Sequence, residues 1–159
     1  MAEPITPVGA GAGADGAIGS ISTISHEQRQ ALLAAAAAAM LRAHAPYSRF
    51  QVGAAVLDAQ GRIHSGCNVE NAAYPQGVCA EAGALSAMVL AGGTEVRAVL
   101  VVGLGDALVT PCGGCRQKIR EFAGPQTPIL IADPQHVRAQ FTLEQLLPHS
   151  FGPDHLTGS

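Results

Sequence analysis

The run Cys79-Ala80-Glu81-Ala82-Gly83-Ala84-Leu85-Ser86-Ala87-Met88-Val89-Leu90 is followed, past Gly92-Gly93, by Val96-Arg97-Ala98-Val99-Leu100-Val101-Val102-Gly103. The first run is rich in Ala, Leu and Met and stops at a glycine pair, which predicts a helix. The second is a continuous Val/Leu stretch, the pattern of a strand covered on both faces. Working towards the N-terminus, Phe50 to Asp58 and Arg62 to Glu70 read as two strands joined at Ala59-Gln60-Gly61. Before them, Ser25 and Gln28 form a capping-box pattern that opens a helix through the alanine stretch to about His44, with Pro46 as its stop. Towards the C-terminus, Gly113 to Phe122 predicts a helix ended by Gly124-Pro125, Pro128 to Ala132 a short strand, and Leu143 to Leu147 a helical turn ended by Pro148. The order α-β-β-α-β-α-β-α is an α/β pattern, with a mixed sheet and helices on both faces.

A chain of 159 residues holds one core. Apolar residues make up 48% and charged residues 13%, which excludes disorder throughout. Nine basic residues stand against twelve acidic ones, with no basic tract, and there are four Phe, two Tyr and no Trp. That balance offers neither a polyanion surface nor a stacking platform, so nucleic acid is not an expected partner. The longest apolar stretch, Ala31 to Leu41, is well short of the roughly 20 residues that cross a bilayer. The first residues lack the basic start and apolar core of an export signal. The expectation is a cytoplasmic protein with no membrane partner. Residues Met1 to Thr23 are rich in Gly, Ala, Pro and Ser and read as a disordered tail (1–23) ahead of one folded domain (24–159).

Four cysteines without an export signal point to metal ligation or catalysis rather than disulfides. Pro111-Cys112-Gly113-Gly114-Cys115 places a C-x-x-C at a strand-to-helix junction. By itself that motif is either a redox pair or half of a structural zinc site. A catalytic zinc needs only three protein ligands, and Cys79, Cys112 and Cys115 supply three. Glu81 is the only charged side chain between Cys79 and Thr94. A carboxylate in an otherwise apolar helix is either a favourable partner for the positive helix end or a group kept for chemistry. Cys67 reads as a small buried hydrophobe, and none of the six histidines stands at metal spacing from another.

Cys79-Ala80-Glu81 followed by Pro111-Cys112-Gly113-Gly114-Cys115 resembles the zinc-dependent cytidine deaminases of the small homotetrameric type. The resemblance runs from about Gln28 to Leu156. It includes Ala45-Pro46-Tyr47-Ser48-Arg49-Phe50, Gly66-Cys67-Asn68-Val69-Glu70-Asn71 with Tyr74-Pro75, and Leu147-Pro148-His149-Ser150-Phe151-Gly152-Pro153. It implies a three-layer α-β-α sandwich with a mixed five-stranded sheet. It also implies one Zn²⁺ per chain on Cys79, Cys112 and Cys115, with Glu81 as the proton-shuttling acid and base. The implied reaction is hydrolytic deamination of cytidine and 2′-deoxycytidine at C4, with zinc-activated water as nucleophile. Asn68 and Glu70 are implied to bind the ribose, and Tyr47, Phe50 and Tyr74 to line the nucleoside site. The Ala80 N–H would contact the base carbonyl, and Phe151 would reach in from a neighbouring subunit. A nucleoside-antibiotic deaminase of the blasticidin type and an inactive structural zinc module are the alternative readings. One departure stands out: the family often carries Arg directly after the catalytic Glu, and here that residue is Ala82. The compensation expected for three thiolates is then the pair of helix N-termini at Cys79 and Cys112.

Overall fold

The computed structural model describes residues 24–156, so the tail expected over residues 1–23 and the last three residues of the domain lie outside it. Helix α1 (His26–Met40) opens as the sequence predicts. The Ser25 hydroxyl accepts from the Gln28 N–H at 3.1 Å, and the Gln28 side chain accepts from the Ser25 N–H at 3.0 Å. It stops four residues short of the expected His44. Arg42 and Ala43 donate to Ala39 and Met40 in tight turns, and His44 leaves to exchange backbone hydrogen bonds with Asn68 and Glu70.

Strands β1 (Val52–Asp58) and β2 (Ile63–Cys67) form the expected antiparallel hairpin, both shorter than predicted. Helix α2 (Ala80–Leu90) leads to β3 (Val96–Gly103), and helix α3 (Gly113–Phe122) crosses to β4 (Pro128–Ala132). The last strand, β5 (Val137–Thr142), precedes a single turn, α4 (Leu143–Leu146). Residue patterning alone did not indicate β5, whereas the family resemblance implied five strands. The sheet order is β2-β1-β3-β4-β5, with β3 and β4 parallel and every other pair antiparallel.

Alternation along the strands divides the core between the two faces. Ala55, Leu57, Leu100 and Val102 meet Leu32, Leu33, Ala36 and Met40 of α1. Val56, Val99, Val101 and Ile129 meet Leu85 and Met88 of α2, Ile119 of α3 and Leu143. This is the three-layer α-β-α sandwich. Two glycines allow the close approach: a Cβ at Gly53 would lie 2.0 Å from the Ala36 carbonyl of α1, and one at Gly66 2.4 Å from the Ala84 nitrogen of α2. Among the described residues no helix is long and apolar enough to cross a membrane.

In the single chain the far end of α2 is open: Val89 is 50% and Leu90 90% exposed. The sheet covers one side of the helix only.

Candidate active site

Both helices of the site begin at a thiol. Cys79 is the N-cap of α2 and Cys112 the N-cap of α3, each with extended backbone and no side-chain capping bond. Cys115 follows in the first turn of α3 and is 1% exposed. The unpaired N–H groups of two helix starts therefore face one small region, where they favour negative charge. The Cys79 and Cys112 sulfurs lie 3.9 Å apart, and all three sulfurs fall within 4.8 Å of one another. All three cysteines are free thiols.

The donor set fits zinc. Thiolates about 2.3 Å from a tetrahedral Zn²⁺ stand roughly 3.8 Å apart, close to the spacing of Cys79 and Cys112. Burial pushes the Cys79 and Cys115 thiols up, reinforced by the charges of Glu81 and the neighbouring sulfurs. Burial also acts on Cys112, but hydrogen bonds from Cys115 and Cys79 outweigh it and hold that thiol below its ordinary value. Three such groups become anionic together only when a cation offsets their mutual repulsion.

Glu81 sits one turn into the site at 4% exposure. Its Oε2 accepts from the Cys115 thiol at 3.3 Å, so the carboxylate faces the sulfur cluster rather than capping its own helix. Gly66 makes this placement possible, because its missing side chain lets the first turn of α2 rest directly on β2. Ala82, where the family often has Arg, is partly buried in the next position.

A cleft of about 560 Å³ opens beside Cys79 and is lined by Tyr47, Ser48, Asn68, Glu70, Tyr74 and Val78 among others. The predicted residues Tyr47, Asn68, Glu70 and Tyr74 thus meet in one place. Asn68 and Glu70 lie beyond β2, which ends at Cys67, and both hold neighbouring backbone. The Asn68 amide accepts from the Val52 N–H at 2.8 Å and donates to the Phe50 carbonyl at 2.9 Å. The Glu70 carboxylate accepts from the N–H groups of Tyr47 at 2.8 Å and Ser48 at 3.2 Å. Hydrogen bonds from Ser48 and Tyr47 hold the Glu70 carboxyl below its ordinary value. These two side chains therefore fasten the loop from Pro46 to Val52 over the cleft, and each retains hydrogen-bonding capacity.

Tyr47 and Tyr74 meet edge to face with ring centroids 5.9 Å apart. Phe50 is 43% exposed within this loop and Ala80 is fully buried at the start of α2, and neither lines the cleft. Phe151 stands apart on the C-terminal segment, 57% exposed. Sequence reasoning missed Ser48, Val69, Asn71, Gly77 and Val78 as cleft residues. Ser48, Val69 and Asn71 each stand one residue from a predicted site residue inside the quoted motifs, which was the signal available for them.

The sandwich, the two helix starts bearing thiols and the carboxylate beside them define a zinc hydrolase of the deaminase type. Residues 26–131 match the family described as the cytidine and deoxycytidylate deaminase zinc-binding region. A cytidine deaminase of Sporosarcina psychrophila is 38% identical over 126 residues, covering 79% of this chain and 93% of that protein. One from Mycobacterium tuberculosis is 42% identical over 114 residues, covering 72% and 82%. The crystal structure of cytidine deaminase from Burkholderia pseudomallei superposes with a TM-score of 0.72 at 40% identity, covering 80% of this chain and all of the other. The chain belongs to the cytidine and deoxycytidylate deaminase family.

Proposed function

We propose that this chain hydrolyses cytidine and 2′-deoxycytidine to uridine and 2′-deoxyuridine, releasing ammonia. The observation that carries the reading is the Glu81 carboxylate on the Cys115 thiol, within the cluster of Cys79, Cys112 and Cys115, together with the cleft beside Cys79 that Asn68, Glu70, Tyr47 and Tyr74 line. Zinc held by the three thiolates supplies the Lewis acid that makes water a nucleophile near neutral pH. Glu81 takes one proton from the attacking water and passes it to N3 of the pyrimidine. It then takes the remaining hydroxyl proton at C4 and delivers it to the amine, so that the C4–N bond breaks, ammonia leaves and the C4 carbonyl forms. The burial of Glu81 keeps bulk water from competing for these protons. Asn68 and Glu70 bind the ribose hydroxyls with the capacity left over from holding the loop. Tyr47 and Tyr74 border the nucleoside, and the Ala80 N–H and Phe50, which do not line the cleft in the free chain, meet the base carbonyl and the nucleoside once it is bound.

The working protein is a cytoplasmic homotetramer built from one catalytic domain starting at residue 24, with residues 1–23 as an appended tail. The exposed Val89 and Leu90 and the low charge fraction support subunit contacts over the open side of α2. Phe151, exposed and not among the residues that line its own cleft, stacks on the base in a neighbouring subunit's site.

Elemental analysis set against cytidine turnover on the same sample tests the central reading. One zinc per chain is expected, a strong chelator should abolish the loss of cytidine absorbance, and added zinc should restore it. Undiminished turnover in metal-free protein, or none in zinc-loaded protein, would overturn it.

A further inference from the structure

The C-terminal segment from Ser150 to Asp154 has almost no apolar anchorage; only Gly152 within it is buried. Two side chains of α3 hold it instead. Arg120, with a side chain only 13% exposed, donates through Nε to the Ser150 hydroxyl at 3.1 Å and pairs through Nη2 with the Asp154 carboxylate. Gly152 lies flat against the guanidinium, where a Cβ would stand 2.4 Å from Cζ. One turn earlier, Gln117 donates to the Phe151 carbonyl at 3.0 Å. Every one of these contacts engages the backbone or a residue flanking Phe151, and none engages its ring. The ring is left exposed and stacked on His155 with centroids 4.9 Å apart.

We propose that Arg120 is the positioning residue for Phe151: its guanidinium grips Ser150 and Asp154 on either side and so presents the aromatic ring at a fixed place relative to the helix that carries Cys115. The proposal rests on the reading of Phe151 as the aromatic that stacks on a substrate base. A planar guanidinium suits the task because it directs two donors to two acceptors while its surface packs on Gly152, which an ammonium does not do. The grip also ties Phe151 to the metal-holding helix, since Cys115 and Arg120 share α3.

The test compares Arg120→Gln, Phe151→Ala and the double variant as full-length, zinc-loaded proteins, with KM and kcat for cytidine measured separately. Phe151→Ala should raise KM roughly tenfold or more. Arg120→Gln should raise it about fivefold or more, with kcat and zinc content nearly unchanged. The double variant should be no worse than Phe151→Ala alone, because without the ring its placement has no effect on binding. Multiplied effects in the double variant would overturn the proposal, as would an unchanged KM in Arg120→Gln where Phe151→Ala raises it. An unchanged KM in Phe151→Ala would remove the stacking reading itself and the proposal with it. Should Arg120→Gln not fold, Asp154→Ala decides, because that side chain is 64% exposed and leaves Arg120 in place. A KM raised about twofold or more at unchanged thermal midpoint supports the grip, and an unchanged KM overturns it.

Discussion

Glu81 combines two properties: it is 4% exposed, and among the described residues its carboxylate has one hydrogen-bond partner, the Cys115 thiol. A carboxylate kept for stability would find a cation or several N–H groups, since burying it otherwise costs several kcal/mol. The thiol cluster is thus the reason for the residue, and proton transfer is its proposed task. Glu81→Gln preserves the shape and the acceptor oxygen but removes the exchangeable proton. The variant should bind one zinc per chain by elemental analysis while cytidine turnover falls at least about a hundredfold. Retained turnover would take Glu81 out of the shuttle. Asp58 provides the contrast. It is also fully buried, but it accepts from the Arg62 guanidinium at 2.7 Å, His64 at 2.9 Å and the N–H groups of Gln60 and Arg62, and is fully satisfied. Burial would raise its carboxyl, but the bonds from His64 and Arg62 win and bring it from 3.8 to about 2. A lowered folded value means the stabilisation is complete above pH 3.8 and is lost as pH falls towards 2. Asp58→Asn should therefore cost about 2 kcal/mol at neutral pH. In urea titrations its deficit against the wild type should close as pH falls through that window. A deficit that stays constant with pH would assign it to packing instead.

The contact between β2 and α2 decides where the site's carboxylate sits. A Cβ on Gly66 would stand 2.5 Å from the Ala80 carbonyl and 2.4 Å from the Ala84 nitrogen, and backbone does not yield as a side-chain tip would. Gly66→Ala should lower stability by about 1–3 kcal/mol. It should also weaken zinc retention, because the displaced turn carries Cys79 and Glu81. Gly124→Ala, which meets nothing within 4 Å, should change stability by no more than about 0.5 kcal/mol. Similar losses in both variants, measured by thermal melting and metal content, would show the close approach to be unimportant. How legible each element was follows from the same kind of packing. β3, α3 and β4 match their sequence ranges because their patterns are continuous or sharply bounded by Gly and Pro. β5 escaped because it is an edge strand whose polar members, Arg138 and Gln140, face outward between half-buried neighbours. The end of α1 escaped because His44 is drawn away by strand-like bonds to Asn68 and Glu70, residues distant in sequence. Motif spacing singled out Cys79, Cys112 and Cys115, which the fold gathers within 4.8 Å, and the family resemblance singled out Tyr47, Asn68, Glu70 and Tyr74, which meet at one cleft. What sequence could not convey was that Asn68 and Glu70 also build the loop above the cleft, since those bonds depend on tertiary register.

At the scale of the whole molecule, the single chain leaves open the outer side of α2, with Val89 and Leu90, and the ring of Phe151, which stacks on His155 yet is still 57% exposed. The proposed homotetramer would account for both: subunits packed over α2 would bury the first, and a symmetric arrangement would carry Phe151 of each subunit into a neighbour's cleft. Mixing two inactive or weakened proteins decides whether the site is shared. Glu81→Gln chains lack the shuttle but carry an intact Phe151, and Phe151→Ala chains carry the shuttle without the ring. Each protein alone is poor at low cytidine concentration. Unfolded together in equal amounts and refolded with zinc, they form mixed oligomers. If Phe151 acts across the interface, about a quarter of all sites join an intact Glu81 to an intact neighbouring Phe151 by random assembly, and these run at the wild-type rate. The mixture then exceeds the average of its two components several-fold. If Phe151 serves its own chain, no such site exists, because every chain with Glu81 lacks the ring, and the mixture stays at the average. Size-exclusion chromatography and mass spectrometry establish that mixed oligomers formed. Average activity in verified mixed oligomers would withdraw the shared site, and monomeric protein with full activity would withdraw the assembly.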